Sequence, residues 1–276
     1  MEQTLTLDQA CLRVGTKTIL QPTHLDITAG KITAILGPNG SGKSTLLKLL
    51  SGLLEPSDGR VLLGGQLLKS LHRKELAKSL ALLPQHSPVP LGMSATDLVA
   101  CGRYPYAGPF GRLKKEDHRA VSSALSRVGM DHYAGEQVDH LSGGEMQRVW
   151  LAMVLAQETG ILLLDEPTSW LDIAHQLRLL NIVRQLNDEK QTTIIWVLHD
   201  LNQALQFSDE IVLMDQGQVI RTGAATKVLD KRIISDVFGV ETWEVQLEGR
   251  KKSLFLPLGE HQAEPVIHRV LSKEVA

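Results

Sequence analysis

A glycine-rich segment near the N-terminus carries the residue types needed to hold a chain of phosphates. It fits the pattern G-x-x-x-x-G-K-[ST] and consists of Gly37, Pro38, Asn39, Gly40, Ser41, Gly42, Lys43 and Ser44. Glycines let successive backbone N–H groups turn towards phosphate oxygens, and the start of a following helix adds a favourable dipole. Lys43 is expected to reach the β- and γ-phosphates, and the Ser44 hydroxyl to hold Mg²⁺. The segment therefore predicts a nucleoside triphosphate site, in which we include the next residue, Thr45.

Two adjacent carboxylates follow an aliphatic run in the second half of the chain. Residues 161–164 are Ile-Leu-Leu-Leu, and Asp165 and Glu166 come next. A strand buried on both faces would deliver these side chains to the carboxyl edge of a parallel sheet, where open α/β folds bind ligands. Asp165 suits Mg²⁺, directly or through water, and Glu166 could orient or deprotonate an attacking water. A strand that simply ends at solvent gives the same pattern, but the phosphate-binding segment favours the catalytic interpretation.

A second candidate anion-binding segment lies between these two. Ser142 is a favourable N-cap residue for a helix, and Gly143 and Gly144 follow it in the sequence Leu-Ser-Gly-Gly-Glu-Met-Gln. A glycine-rich helix start repeats the logic of the first segment. Two such helix starts with one evident nucleotide indicate that a second chain shares the ligand.

Hydrophobic periodicity predicts the elements that position these residues. Short strands are expected in the first thirty residues, and helix patterns around residues 46–50 and 177–186. Further strands are predicted at residues 31–36, 60–63, 80–83, 161–164, 193–198, 210–214, 218–221, 244–247 and 254–256. Strands that alternate with helices indicate a parallel sheet with crossover connections, and hence the α/β class. Residues 86–157 lack strand patterns and are predicted to be helical.

Composition excludes several classes of protein. The chain has 276 residues, 29 basic and 31 acidic side chains, and 43% hydrophobic residues, unlike a disordered chain or a strongly basic nucleic-acid binder. No apolar run approaches the roughly 18 residues that span a bilayer, and the N-terminus does not resemble a signal peptide. Cys11 and Cys101 form no C-x-x-C motif and are expected to be buried thiols, which favours the cytoplasm. No histidine pair has zinc-site spacing.

The order of the motifs resembles the ATPase subunit of ABC transporters. The phosphate-binding segment is followed by LSGGEMQ and then by LLLDEP, and the resemblance extends over about residues 4–240. It implies a P-loop ABC ATPase with a RecA-like core, an N-terminal antiparallel β subdomain and a helical subdomain at about 86–157. Residues 1–240 would form the ATPase domain, and residues 241–276 C-terminal strands and a tail. ATP and Mg²⁺ are the implied cofactors.

Three further positions match motifs of this family. Gln85, after ALLP, resembles the residue that senses Mg²⁺ and faces the permease. Asp172, in Ser-Trp-Leu-Asp, resembles the D-loop aspartate, and His199, at the end of TTIIWVLH, resembles the switch histidine on the γ-phosphate. The resemblance also implies a head-to-tail homodimer in which the Ser142 helix of one subunit caps the ATP on Lys43 of the other. The implied catalytic residues are Glu166, His199 and Gln85, and the implied metal ligands are Ser44, Gln85 and Asp165.

One position departs from the family pattern. The family usually places an aromatic residue, stacked on adenine, just before the glycine that matches Gly15, but this chain has Val14 there. The sequence contains no Phe, Trp or Tyr before Tyr104. Phosphate and metal contacts are therefore expected to supply most of the nucleotide affinity.

The segment LLPQHSPVPLGMSATDLVACGRYPY, followed by FGRL, narrows the resemblance to ATPases of ferric siderophore importers of the iron–citrate and hydroxamate type. Such a subunit would lie at the cytoplasmic face of the inner membrane, bound to two permease subunits, with a substrate-binding protein as an indirect partner. Importers of cobalamin, haem, zinc or manganese are the alternatives. The aromatic residues Tyr104, Tyr106 and Phe110 could either dock the permease or pack inside the helical subdomain.

Two other classes of function were weighed against a transporter. A soluble ABC ATPase acting on nucleic acid or ribosomes would need a coiled-coil insertion or a second cassette, and a basic surface, none of which the sequence has. No nucleic-acid partner is therefore expected. A regulatory module that binds nucleotide without hydrolysis should lack the base, yet Glu166 is present.

Overall fold

Two sheets organise the first of the two units into which the chain divides, Met1–Val228 and Leu229–Ala276. The computed structural model describes residues 4–108, 111–246 and 252–260. The strands of the first unit are β1 (Leu5–Val14), β2 (Lys17–Ile27), β3 (Ile32–Leu36), β4 (Asp58–Leu63), β5 (Gln66–Leu67), β6 (Leu80–Leu83), β7 (Ile161–Asp165), β8 (Thr193–Val197), β9 (Glu210–Asp215) and β10 (Gln218–Ala224). Its helices are α1 (Lys43–Leu50), α2 (Arg73–Ser79), α3 (Ala95–Cys101), α4 (Lys115–Arg127), α5 (Gly143–Ala156), α6 (Ile173–Lys190), α7 (Leu201–Phe207) and α8 (Ala225–Val228).

The larger sheet has six strands in the order β10-β9-β3-β8-β7-β6. All are parallel except β10, which pairs antiparallel with β9. Every residue of β3, β7 and β8 is buried. Continuous aliphatic runs of this kind fit a parallel sheet covered on both faces, and the predicted α/β class is confirmed.

The smaller sheet is antiparallel, with strand order β2-β1-β4-β5. Its apolar side chains, such as Leu5 and Leu7 of β1, join the hydrophobic cluster that includes Leu46 and Leu47 of α1. The predicted N-terminal antiparallel subdomain is therefore present. Its first two strands are longer than the short strands expected from the sequence. In β2, exposed polar residues alternate with buried ones, so the strand continues through residues that are not apolar.

A buried arginine holds the helical region between β6 and β7 together. Arg103, which follows α3, donates from Nε to Oδ1 of Asp117 at 2.9 Å and from Nη1 to Oε2 of Glu158 at 2.8 Å. It also donates to the carbonyl oxygen of Ala156 at 2.7 Å. Burial would raise the pKa of Asp117, but the Lys114 backbone N–H and Arg103 lower it overall. A buried charge needs such partners, so this cluster fixes α3, α4 and the end of α5 relative to one another.

The structure adds one helix and corrects one expectation. The helix α2, Arg73–Ser79, was not predicted, and none of its residues is fully buried, although Leu76 packs against the hydrophobic core. Cys101 is exposed and only Cys11 is buried, because the buried face of α3 is filled by Ala95, Leu98 and Val99.

The aromatic residues near position 105 differ in burial, and only the internal packing of Tyr106 is confirmed. Tyr106 donates its hydroxyl to the carbonyl oxygen of Gln157 at 3.0 Å and stacks under the guanidinium of Arg103, so it packs inside the helical region. Tyr104 is 74% exposed. Phe110 lies outside the described residues.

Among its described residues, the second unit contains one helix and a two-stranded sheet. These are α9 (Lys231–Phe238), β11 (Val240–Val245) and β12 (Leu254–Glu260), with β11 and β12 antiparallel and Trp243 opposite Leu256. The strand predicted at 244–247 thus begins earlier, at Val240. The tail from 261 to 276 lies outside the described residues, and the domain boundary at residue 240 stays a prediction. No described helix combines the length and the apolar character required to cross a bilayer.

Candidate nucleotide site

Four predicted site segments meet at the carboxyl edge of the six-stranded sheet. The glycine-rich segment follows β3, His199 follows β8, Glu166 follows β7 and Gln85 follows β6. These strands are consecutive neighbours in the sheet and run parallel. Parallel strands end at the same edge, which is where ligands of open α/β sheets bind. Topology alone therefore gathers residues that are up to 162 positions apart, from Gly37 to His199.

The glycine-rich segment can take its path only with glycine at two positions. Gly37 has φ 151°, and a Cβ there would collide with the carbonyl oxygen of Met214. Gly42 has φ 99° and caps the start of α1. Asn39 and Gly40 are exposed at the tip, whereas the hydroxyl of Ser41 is buried without a hydrogen-bond partner. The path leaves the N-terminus of α1 as an anion-binding cradle.

Lys43 points back into this segment. Its Nζ donates to the carbonyl oxygens of Gly37 at 2.8 Å and Pro38 at 2.9 Å, and the residue is 5% exposed. Burial lowers the pKa of Lys43, and the nearby carboxylates of Glu166 and Asp165 oppose that shift. A buried ammonium group held by carbonyl oxygens is well placed to change partners and bind an anion that enters the cradle.

Ser44 and Asp165 bring two oxygen ligands together. The Ser44 hydroxyl donates to Oδ1 of Asp165 at 3.0 Å. Burial raises the pKa of Asp165, and the negative charge of Glu166 adds to the effect, while the Ser44 hydrogen bond lowers it. A hydroxyl beside a carboxylate at a phosphate cradle is the oxygen donor set that Mg²⁺ accepts, since Mg²⁺ binds few protein ligands and uses water and phosphate oxygens for the rest. These residues fit the predicted cation.

Glu166 is bonded by three side chains from three parts of the sequence. Its Oε1 lies 2.7 Å from Nε2 of His199. Its Oε2 accepts from Nε2 of Gln85 at 2.6 Å and from Oγ of Ser169 at 3.1 Å. Burial would raise the pKa of Glu166, but hydrogen bonding and charge from His199, with the Ser169 and Gln85 bonds, lower it overall. The carboxylate is therefore held as an anion, the form a proton acceptor needs.

The backbone at Glu166 is also unusual. Its φ is 51°, in the left-handed region that residues with a Cβ rarely adopt. Such a conformation costs on the order of 1 kcal/mol or more and persists where surrounding contacts hold it. Here those contacts are the side-chain bonds to Glu166, so the strained turn aims the carboxylate at the edge of the sheet.

The remaining predicted site residues lie at the starts of helices. Ser142 caps α5, accepting from the N–H of Glu145 at 3.4 Å and donating to its carboxylate, and both Ser142 and Gly143 are exposed. Asp172 caps α6 through the N–H of His175 at 2.8 Å and is also exposed. Gly144 lies beside Leu171 and Thr45 lies on α1. Ser142, Gly143 and Asp172 are thus exposed, and the side chains of Ser142 and Asp172 bond residues in the first turn of their own helices.

Sequence reasoning did not single out Ser169 as a partner of Glu166. It lies three residues after Glu166, and its backbone N–H donates to the Glu166 carbonyl oxygen at 3.2 Å. Serine hydroxyls often bond nearby groups in turns, which was the available signal. The bond also requires the left-handed backbone conformation of Glu166. A glutamate in a sequence gives no signal of that conformation.

The arrangement of these residues agrees with the family to which comparison with known proteins assigns the chain. A family model described as ABC transporter matches residues 20–169, more than half of the chain. The chain belongs to the ABC transporter family. It is an ATP-binding subunit of that family, with the P-loop ATPase fold expected from the sequence.

Curated relatives of this ABC transporter chain match it over most of its length. The ferric enterobactin transport ATP-binding protein FepC of Escherichia coli K12 is 42% identical over 252 residues, covering 91% of this chain and 93% of FepC. The iron(3+)-hydroxamate import ATP-binding protein FhuC of Bacillus subtilis 168 is 43% identical over 237 residues, covering 86% of this chain and 88% of FhuC.

Solved structures share the fold. A metal-chelate type ABC transporter in an inward-facing conformation superposes with a TM-score of 0.80 at 28% identity, covering 94% of this chain and 98% of that chain. A dimeric bacterial ABC transporter cassette superposes with a TM-score of 0.72 at 27% identity, covering 80% and 98%.

Proposed function

We propose that the chain is the ATP-hydrolysing subunit of an importer for ferric siderophores, working with a separate membrane permease. The proposed ATP hydrolysis rests on one observation, the hydrogen bonding of Gln85, Ser169 and His199 to Glu166 beside the phosphate cradle. The proposed cargo is supported by the names of the relatives, which concern enterobactin and hydroxamate transport. Cobalamin, haem, zinc and manganese remain the alternative cargoes.

In this proposal the cradle binds the triphosphate of ATP. Lys43 exchanges its bonds to the loop carbonyls for the β- and γ-phosphates, because a charge-assisted bond to phosphate is stronger than one to a carbonyl. Ser44 and Asp165, together with Gln85, would hold Mg²⁺, which when bound would neutralise phosphate charge. Asn39, Gly40 and Gly42 supply backbone N–H groups, whereas Pro38 has none to offer.

Glu166 is the proposed proton acceptor for the attacking water. The water oxygen forms a bond to the γ-phosphorus as the bond to the bridging oxygen of ADP breaks, and the water proton moves to the Glu166 carboxylate. His199 lies 2.7 Å from Glu166 and can orient it. In this proposal the same imidazole also contacts the γ-phosphate. Gln85 links the carboxylate to the segment after β6.

The exposed residues of the predicted site are explained by a homodimer. Ser142, Gly143 and Gly144 at the start of α5 would cap the ATP that the partner subunit holds, with Asp172 nearby at the start of α6. The capping box of Ser142 and Glu145 keeps that helix start formed in the single chain. The superposition on a dimeric cassette supports this arrangement.

The permease is proposed to dock beside the helical region, which would place the subunit peripherally at the cytoplasmic face of the inner membrane. A cavity of about 310 Å³ between α1, β4 and α2 is lined by apolar residues that include Leu54, Leu68 and Leu76, and also by Lys69 and Arg73. Lys74 Nζ donates to the carbonyl oxygen of Ala107 at 3.1 Å, which joins α2 to the segment carrying exposed Tyr104. An apolar helix with acidic residues fits such a surface.

Transport assays test the cargo. A strain that lacks this gene should fail to take up labelled ferric hydroxamate, ferric citrate or ferric enterobactin, and the native gene should restore uptake of one of them. The Glu166→Gln variant should not restore it. Loss of labelled cobalamin, haem or zinc uptake with normal iron-chelate uptake would contradict the siderophore assignment.

A further inference from the structure

The segment Pro167–Asp172, between β7 and α6, contacts the proposed proton acceptor through one side chain. Ser169 donates from Oγ to Oε2 of Glu166 at 3.1 Å and is half-buried. Nothing in the family match or in the predicted site assigns a role to this hydroxyl. Its bond is made to the same oxygen that accepts from Gln85, while the other oxygen faces His199.

Ser169 differs from the other two partners of Glu166 in the part of the chain from which it approaches. Gln85 and His199 approach from segments after other strands, so their positions depend on the packing of the sheet edge. Ser169 approaches from the turn that Glu166 itself begins, and its backbone N–H donates to the Glu166 carbonyl oxygen at 3.2 Å. The hydroxyl and the backbone N–H of one residue thus hold both ends of the glutamate in its left-handed conformation.

The segment is also anchored to two helices. Nε2 of Gln147, on α5, donates to the Pro167 carbonyl oxygen at 3.2 Å. Nε2 of Gln176, on α6, donates to the Leu171 carbonyl oxygen at 2.9 Å. Ser169 lies between these two anchors, so its position is set by helices outside the sheet edge.

The residue next to Ser169 is exposed and strained. Trp170 has φ 67° and is 90% exposed. Left-handed backbone at a residue with a bulky side chain is costly and needs surrounding support. The support comes from the anchored carbonyl groups on either side, at Pro167 and Leu171.

We infer that Ser169 is a positioning residue, which holds the Glu166 carboxylate in the orientation needed to accept the proton of the attacking water. The inference rests on the proposed catalytic role of Glu166. In this inference Ser169 acts through its bond to Glu166, so its loss should slow the hydrolytic step and leave ATP binding unchanged. Because Gln85 and His199 remain, the loss should be smaller than that caused by changing Glu166.

The test compares Ser169→Ala and Ser169→Thr with the native subunit in single-turnover and steady-state hydrolysis. Ser169→Ala should lower kcat about tenfold, as expected for a hydrogen bond to a charged group, with KM for ATP unchanged. Ser169→Thr keeps the hydroxyl and should restore most of kcat. Ser122→Ala is the matched control, since the Ser122 hydroxyl bonds the backbone of α4 at the exposed surface.

A double-mutant cycle separates positioning from a general structural role. In the Glu166→Gln background, adding Ser169→Ala should cause no further loss in single-turnover rate. An equal loss in both backgrounds, unchanged kcat in Ser169→Ala, or failure of Ser169→Thr to restore kcat would each overturn the role of Ser169 while leaving that of Glu166 in place. Normal turnover by Glu166→Gln alone would instead overturn the proposed function, and the inference with it.

Discussion

The carboxyl edge of the six-stranded sheet and the exposed start of α5 were both predicted to bind the same nucleotide. The two regions differ in the contacts that hold their polar side chains. At the sheet edge, Glu166 is bonded by side chains from three separate segments. At the start of α5, Ser142 bonds Glu145, three residues along its own helix. One region is assembled by long-range packing, and the other by local capping.

This difference indicates which half of the site each chain can supply alone. Lys43 is held in the cradle, and Glu166 at the sheet edge, by bonds within a single chain, so they should bind ATP without help. Ser142 and Gly143 are exposed and should act only on a ligand brought by another subunit. Changes in the two regions should therefore separate binding from hydrolysis.

The largest effect is expected from blocking the exposed helix start. Ser142→Arg should abolish hydrolysis, because a long side chain would fill the space of the partner's ATP, and should leave ATP binding by the isolated subunit unchanged. Nucleotide titration and phosphate release at several protein concentrations measure the two separately. Ser122→Arg, at an exposed position of α4, is the control. Normal hydrolysis by Ser142→Arg, with specific activity independent of dilution, would show that the site is complete in one chain.

The next largest effect is expected at the sheet edge. Glu166→Gln should lower hydrolysis by at least about 100-fold, since an acid–base group typically contributes that much. ATP binding should persist, and an ATP-bound dimer should accumulate and be visible by size-exclusion chromatography. Glu116→Gln alters an exposed carboxylate at the start of α4 and should have no effect. Near-normal turnover in Glu166→Gln would show that the sheet edge does not supply the proton acceptor, and the contrast with the start of α5 would no longer hold.

A smaller effect is expected when the cradle loses its charge. Lys43→Ala should weaken ATP binding about 10- to 100-fold, because it removes a charged partner of the phosphates. Lys48→Ala, on the exposed face of the same helix, should bind normally. Calorimetric titration with ATP and Mg²⁺ measures both variants. Equal affinities for the two would mean that Lys43 stays bonded to the loop carbonyls.

The smallest effect is expected from changing Val14, which is predicted to lie next to the adenine ring. Val14 is 63% exposed and offers no aromatic face, so GTP should support hydrolysis within about tenfold of ATP. Val14→Tyr should tighten ATP binding about tenfold without changing turnover, since stacking is worth about 1–3 kcal/mol. Val14→Leu, which adds apolar surface without a ring, should not. Strong ATP preference in the native protein, with no gain in Val14→Tyr, would show that another group holds the adenine.

The elements that carry the sheet edge could be predicted because their sequence signal is local and uniform. β3, β7 and β8 are short, wholly buried runs, and a parallel sheet buries both faces of a strand. α2 could not be predicted, since none of its seven residues is fully buried and Leu76 is its one large apolar side chain. The motif residues Ser44, Asp165 and Glu166 could be assigned roles from their order in the chain.

Side-chain partnerships were harder to predict. The bond from Ser169 to Glu166 depends on left-handed backbone at a glutamate, and intrinsic propensity disfavours that conformation. The exposure of Cys101 depends on the rotational setting of α3 against the rest of the helical region. Both are set by tertiary contacts, to which a pattern of residue types is insensitive.

The unequal burial of the two cysteines has a practical consequence. Cys11 is buried and Cys101 is exposed, and the chain contains two cysteines in all. A maleimide dye should therefore couple at a single position of the unaltered protein, three residues before Tyr104. A fluorophore there would sit on the side of the molecule proposed to meet the permease. Its anisotropy would then rise as the membrane complex assembles, which gives a direct optical readout of docking without any substitution.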